Sequence, residues 1–406
     1  MALNTNKTTT ASLAPTMQTY YDRKMLEFAK PYLVHSQFAV PKNVPKNSGK
    51  VVQWRRYVPL PVITEPLLEA EIPDGQQFTI EEVLAQVYQY GGYAATSDLF
   101  KLAALDSKLS EEVEVMADQG GRSVDAVVRD EMATTLTTQY VGGRTGIDQL
   151  RVTDVLTIDE IRKMARTLKN NKTPFFTKGG NPHFVAIVDP DTEFDIQNDE
   201  KWIDVATYQD KQKIYNGELG KAYGVRFVLT TESKKYVNDD LIAGSVSLTA
   251  ASLSSATVTV DEAITAAEAT ALAGREVNIR DTSATPNVYE KQTIVSAVAG
   301  AAGAATVTLD AAPAGFTLAD GDILYANEYG FTGNTVHGTL VFGDKAYAKA
   351  DINGSGRMRI IVKPKDSGGP SNPLEQFGTV GWKVEALAVK ILQDLWIGQI
   401  FSGASE

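Results

Sequence analysis

Apolar residues recur at helical spacing along one long stretch of the chain and at strand spacing along several short ones. Between 98 and 136, Leu102, Leu105, Leu109, Val113, Met116, Gly120, Val124, Val127, Val128, Met132 and Leu136 follow at steps of three or four, the repeat of an amphipathic helix. Glu111, Glu112, Glu114 and Asp125 fall off that stripe. Such a helix would be roughly 50 Å long at 1.5 Å per residue. Gly120-Gly121 interrupts it, at about 2 kcal/mol against two alanines, which predicts a kink or two consecutive helices. A shorter helix is predicted from Met17, Tyr21, Met25 and Phe28, ended by Pro31. Thr157 and Glu160 form a capping-box pattern ahead of the apolar face Ile161, Met164, Ala165 and Leu168.

The strand-like runs are fewer and mostly not alternating. Val51 to Val58 reads VVQWRRYV and is followed by Pro59, Pro61, Pro66 and Pro73. Ile72-Pro73-Asp74-Gly75 is a turn signal, because proline presets φ and glycine accepts a positive φ. Phe78 to Tyr90 then returns as a second run, so 50–90 predicts a long two-stranded arm with a proline-stiffened tip. An isolated hairpin is marginal in water and needs a surface to lie on, which another copy of the chain can supply. Further strands are predicted at Phe184–Val188, Val225–Leu229, Thr339–Phe342, Met358–Val362 and Gly378–Leu392, with the carboxyl end tied into a sheet after Trp396-Ile397. Helices with few non-alternating strands indicate an α+β fold.

Residues 241–325 differ from the rest. Alanine makes up 21 of these 85 positions, and the only basic residues are Arg275, Arg280 and Lys291. Valine and threonine alternate in short strands at Ser254–Val260, Glu276–Arg280, Gln292–Val298 and Ala305–Leu309, and Asp320-Gly321-Asp322 supplies a final turn. A small inserted β-rich domain is predicted here in preference to an Ala-rich loop.

Composition narrows the function. The 406 residues include no cysteine, which excludes a disulfide framework, a thiolate nucleophile and cysteine-ligated metal. The opening MALNTNKTTTASLAP lacks a secretory pattern, and no stretch approaches the ~20 apolar residues of a membrane span. An unsecreted, soluble protein with no membrane partner is expected. A net charge of −11 argues against gripping nucleic acid as the main work and favours solubility of many copies before assembly. His35, His183 and His337 stand far apart outside any metal-ligand spacing, and His183 reads as a structural residue. No phosphate-cradling loop, dinucleotide fingerprint or nucleophile elbow is present. Asp189, Asp191 and Asp195 follow a strand, and the start of a helix is favoured there over a cation site. No catalytic, cofactor-binding or metal residue is assigned. Trp54, Arg55, Arg56 and Tyr57 are the candidate contact residues, with an inter-subunit ion-pair site at least as well supported as stacking on nucleic acid.

Three stretches carry a family resemblance: LAPTMQTYYDRKMLEFAKPYLVHSQFA near the start, Lys50 to Tyr57, and NPLEQFGTVGWK at 372–383. With the order of arm, hairpin, long helix, mixed lobe and closing strand, they resemble the Hong Kong 97-type fold of tailed-phage major capsid proteins, in particular the family typified by the podophage N-four. The likeness spans most of 15–240 and 326–400 and leaves out 241–325. It implies an N-terminal arm at 1–49, an extended hairpin at 50–95, a peripheral lobe with the spine helix at 96–154 and an axial lobe at 155–240. The inserted domain would follow at 241–325, and a return through the axial to the peripheral lobe at 326–406. It also implies a homo-oligomer of pentamers and hexamers, assembled in the host cytoplasm into a virion capsid that encloses double-stranded DNA without reading its sequence. Scaffold, portal and decoration proteins would be its partners, and it would need no cofactor. An encapsulin-type compartment shares the fold and would differ in cargo. A secreted carbohydrate-binding or adhesive β protein is suggested by 241–325 alone, and the long helix argues against it.

Overall fold

The computed structural model describes residues 33–47, 49–64, 66, 75–97, 109–177, 181–202, 218–254, 256–283, 288–352, 358–363 and 376–405. The chain passes three times between two units. One takes residues up to Thr134 together with Asp344–Trp396, the other Thr135–Gly343 with Ile397–Glu406. The first unit opens with β1 (Val40–Val44), β2 (Val51–Tyr57), β3 (Ile80–Gln86), β4 (Tyr88–Ser97) and α1 (Leu109–Met132). The second begins with β5 (Thr138–Tyr140), α2 (Ile158–Asn170), β6 (Phe184–Val188), α3 (Pro190–Asn198), β7 (Glu218–Ala222), β8 (Val225–Leu229) and β9 (Lys234–Tyr236). It continues with β10 (Ser247–Ser254), β11 (Thr257–Val260), α4 (Ala266–Leu272), β12 (Glu276–Asp281), β13 (Val288–Val298), β14 (Ala305–Leu309), β15 (Ile323–Ala326) and β16 (Val336–Phe342). Strands β17 (Tyr347–Ile352), β18 (Arg359–Lys363) and β19 (Phe377–Ile391) return to the first unit, and β20 (Ile397–Ser402) ends in the second. The helix predicted at Met17–Phe28, the arm before it and the 98–108 portion of the long helix lie outside the described residues.

In the first unit, β19 is the spine of a sheet ordered β1-β17-β19-β18, with β4 also paired to β19. Helix α1 lays Val113, Met116, Ala117 and Val124 against Met358, Ile360, Val380, Trp382 and Val384. The helix runs through Gly120-Gly121 without a break, where a kink or two helices were expected. A Cβ at Gly120 would stand 2.4 Å from Met358 Sδ and 3.0 Å from the Trp382 ring. Glycine therefore lets helix and sheet approach, and the packing gained offsets its low propensity.

Asp125 lies off the apolar stripe of α1. It is fully buried, because its carboxylate has donors. His35 Nδ1 lies 2.6 Å from Oδ2, and the backbone N–H groups of His35 and Ser36 donate at 3.2 and 3.0 Å. A buried carboxylate stripped of such partners would cost several kcal/mol, so this one acid fixes the chain at residues 35–36 to α1. The Tyr347 hydroxyl donates to the His35 carbonyl. Burial first, and then the charge of Asp125, push its phenol up.

The second unit is built on a seven-stranded sheet ordered β5-β20-β16-β6-β8-β7, with β9 paired to β16. Strands β6 and β8 are parallel, and all of β6 is buried, which is why its apolar run does not alternate. Ile161, Met164, Ala165 and Leu168 of α2 pack on Phe184, Ala186, Phe227, Val341 and Ile400. The capping box expected at Thr157 and Glu160 is not formed: Thr157 makes no side-chain cap bond. The Asp199 carboxylate accepts from the Ile158 N–H at 3.0 Å instead, and Glu160 turns to Lys163 and Gln139. The carboxyl end is tied into this sheet: β20 is buried throughout and pairs with β16 from Phe342↔Ile397 to His337↔Ser402.

Strands β10-β11-β14-β13-β12-β15 close into a barrel inside the second unit. Alternate residues of β11 and β14 point inward, and with Leu248, Leu272, Val277, Ile279, Ile294 and Leu324 they make a separate core. The run read as one strand at Ser254–Val260 is two, β10 ending at Ser254 and β11 starting at Thr257. Helix α4, not foreseen, has a capping box. The Thr265 N–H donates to Glu268 Oε2 at 2.8 Å, and Thr265 Oγ1 accepts from the Glu268 N–H at 3.3 Å. Two of the barrel's three cations hold it to the rest of its unit. Arg275 pairs with Glu328 at 2.6 Å and donates to the carbonyls of Asp239 and Asp240, and Lys291 reaches Asp148 at 3.2 Å.

Candidate assembly surface

Strands β2 and β3 pair antiparallel from Val51↔Gln86 to Tyr57↔Ile80. The root of this hairpin is anchored within its own unit. Val52 and Ala85 are buried against Ala350 and Ala388. Lys42 donates through Nζ to the Gln53 carbonyl and lies 5.3 Å from the centre of the Trp54 ring. Arg56 donates to the Leu392 carbonyl at 3.0 Å.

Beyond the root the hairpin loses this support. The Val58 N–H donates to the Thr79 carbonyl at 3.0 Å, after which no strand pairing continues among the described residues. Val62 is 84% exposed, Ile63 70% and Phe78 67%. Tyr57 meets Phe78 edge to face at 6.2 Å. The turn expected at Ile72-Pro73-Asp74-Gly75 lies outside the described residues except for the exposed Gly75. A ribbon of two strands has no core of its own, and grouped exposed apolar side chains mark an interaction surface.

The four candidate contact residues sit along β2. Trp54 is half-buried, and its indole N–H is enclosed with no hydrogen-bond acceptor among the described residues. Arg55 lies 3.7 Å from Glu82, and Arg56 Nε donates to Glu81 at 2.6 Å. Each arginine therefore has a cross-strand partner at its own register position. Such exposed pairs contribute about 1 kcal/mol or less. Tyr57 is exposed. Two grooves open in the same unit. One of about 520 Å³ is lined by Leu84, Tyr88, Tyr90, Val127, Glu131 and Lys390. The other, about 540 Å³, lies over β4, β18 and β19 beside Tyr93, Ile361, Lys363 and Gly381.

The residues considered for chemistry are structurally engaged. His183 Nδ1 lies 2.9 Å from the Asn181 carbonyl oxygen. Asp189 begins α3, where the Thr192 hydroxyl donates to its carboxylate at 2.5 Å. What residue spacing could not reveal is that His35 and His337 each meet a buried carboxylate, His337 Nδ1 lying 2.6 Å from Asp189. These partners are 90 and 148 positions apart in the chain. No helix of the described residues is long and apolar enough to cross a membrane.

No curated protein matches the sequence. Among solved structures, the cyanophage Pam1 capsid asymmetric unit superposes with a TM-score of 0.53 at 12% identity, covering 89% of this chain and 86% of that one. The capsid of Ralstonia phage GP4 superposes with a TM-score of 0.55 at 11% identity, covering 90% and 87%. At such identities the likeness is one of fold. The part of the chain left uncovered is smaller than the barrel, so the barrel is at least partly shared. This corrects the expectation that the likeness stops at 241 and resumes at 326. The sequence matches the phage capsid protein family over residues 85–293, which also enter the barrel. That match spans just over half of the 406 residues, and the chain belongs to the phage capsid protein family, as a major capsid subunit with the Hong Kong 97-type fold.

Proposed function

We propose that many copies of this chain close into an icosahedral shell of pentamers and hexamers around the double-stranded DNA of a tailed phage. Each copy would lay its β2–β3 hairpin on a neighbour. The observation that carries this reading is the hairpin itself, fixed at its root by Val52, Ala85 and Lys42 yet exposing Val62, Ile63 and Phe78. The unit holding α1 and β19 would serve as the peripheral lobe. The unit built on β16, β6 and β8 would serve as the axial lobe. Many weak contacts of this kind sum through symmetry and local concentration.

In this arrangement Trp54, Arg55, Arg56 and Tyr57 belong to the contact between copies. The barrel faces outward, where its excess of acid keeps it off the packaged DNA: residues 241–325 hold nine Asp and Glu against three Lys and Arg. Scaffold, portal and decoration proteins would be its partners, assembly would take place in the host cytoplasm, and no catalytic step is assigned to the chain. Electron microscopy of the purified recombinant protein tests the reading. Closed particles of many copies are expected, and a protein that stays monomeric with its hairpin packed on its own body would overturn it. An antibody against the barrel should bind intact particles, and complete protection would place the barrel inside.

A further inference from the structure

At the start of α3 the second unit concentrates carboxylates that its own cations do not balance. Asp189 is buried, and its Oδ2 lies 2.6 Å from Nδ1 of the buried His337. Asp191, half exposed, places Oδ2 3.9 Å from the same nitrogen. Lys235 Nζ lies between the acids, 3.3 Å from Asp189 and 2.5 Å from Asp191. One turn along α3, the buried Asp195 accepts from the Ser405 N–H and hydroxyl. Two carboxylates, one buried and one half exposed, thus stand around one ammonium beside His337. Burial opposes ionisation of Asp189, but the bond and charge of His337, the Thr192 hydroxyl and Lys235 outweigh it, so its carboxyl is held well below the usual range.

A second, independent feature lies on β16 and β20. Ser402 is fully buried, and its hydroxyl has no hydrogen-bond partner among the described residues. It pairs directly with His337, so the two side chains leave the same face of the sheet about 5 Å apart. Thr339, two residues along that face from His337, is likewise buried with an unpartnered hydroxyl. Each orphaned hydroxyl costs about 1–3 kcal/mol, and Ser402 stands directly beside His337 of the cluster.

We propose that Asp189, Asp191 and His337 bind a divalent cation of the zinc or manganese class, and that Lys235 is the resident ammonium such a cation displaces. An imidazole nitrogen with two carboxylates is a donor set for zinc or manganese, whereas magnesium and calcium prefer oxygen alone. The three donor atoms lie within 4.8 Å of one another. Four-coordinate zinc would need neighbouring donors roughly 3.4 Å apart, from bonds near 2.1 Å. The separations of 2.6 and 3.9 Å from His337 bracket that figure, and Asp191 and Lys235 are exposed enough to move. The metal takes the place of the proton between His337 Nδ1 and Asp189, that proton leaves to solvent, and the imidazole keeps its other proton on Nε2. The Ser402 hydroxyl then orients a water in the fourth position. Three elements far apart in sequence, α3, β16 and β20, become linked through one ion.

Isothermal titration of zinc chloride, and separately of manganese chloride, into the untagged full-length protein tests this. One equivalent per chain is expected, with a matching rise in thermal stability. Asp191→Asn, at an exposed position, should weaken binding roughly a hundredfold, and Lys235→Ala should tighten it about tenfold by removing the competitor. Binding that Asp191→Asn leaves unchanged, or no saturable binding by the wild type and Lys235→Ala alike, overturns the assignment.

Discussion

The hairpin and the barrel are both built of antiparallel strands, and they solve the problem of strand edges in opposite ways. The barrel joins six strands in a ring, so every strand has two neighbours and the inward residues of each make a core. The hairpin has two strands, buries Val52 and Ala85 only at its root and leaves Val62, Ile63 and Phe78 in water. Closure makes one region self-sufficient, and openness makes the other dependent on a second surface. The proposed shell would use both properties: a region that stays folded whatever it touches, and one whose apolar surface assembly would complete.

The largest expected effect breaks the hairpin's side of this comparison. Replacing Val62 and Ile63 together by Asp should leave the circular dichroism and melting of the unassembled subunit unchanged, because both are exposed there. Particle formation, followed by electron microscopy or light scattering, should be lost. Wild-type yields of particles from this variant would remove the hairpin from the assembly contact. On the barrel's side, Ile279→Ala should cost about 2–5 kcal/mol in urea unfolding of the unit that contains it, since Ile279 is fully buried. Hydrogen exchange at β2 and β3 should not change. A matching loss of protection in the hairpin would mean the two regions are coupled.

These contrasts mark what could be read from the chain and what could not. The hairpin was legible because its signals are local: VVQWRRYV, a cluster of prolines and a returning run. Strand β6 was legible as an unbroken apolar run, β8 as an apolar run broken only by Arg226, and β14 fell where Val and Thr alternate. Gly120 misled because a propensity argument sees the cost of glycine in a helix but not the Met358 and Trp382 side chains that fill the space. Asp125 gave no local sign of its burial, because its partners, His35 and Ser36, stand about 90 positions away in the chain. Helix α4 was hidden by alanines that looked like loop. Its Thr265…Glu268 spacing was the available signal.

That helix allows a smaller test. Thr265→Ala removes half of the capping box and should cost about 1 kcal/mol, confined to the barrel and read as faster exchange over 266–272. An acid titration goes further. The N–H groups of Ala314 and Gly315 donate to Glu290 at 2.9 and 2.8 Å and hold its carboxyl below the ordinary value. A depressed carboxyl adds stability above its unfolded value of about 4.3 and loses it as pH falls through the folded one. The 310–318 loop should therefore loosen below about pH 4 in the wild type. In Glu290→Gln this pH dependence should disappear, and an unchanged acid profile would show that another group carries it.

The smallest expected change is the most discriminating for the hairpin. Arg56 pairs with Glu81 across the ladder and donates to the Leu392 carbonyl. In the free subunit these groups are wet, so Arg56→Gln should cost less than about 1 kcal/mol and less still at high salt. If the hairpin lies beneath a neighbour in the particle, the same substitution leaves Glu81 without its cation in a drier place, where an unpaired charge costs several kcal/mol. Particle disassembly by urea should then shift more than subunit unfolding does, and the gap between the two should widen as salt is lowered. Particles that weaken only in step with their subunits would show that Arg56 serves its own hairpin and no other copy.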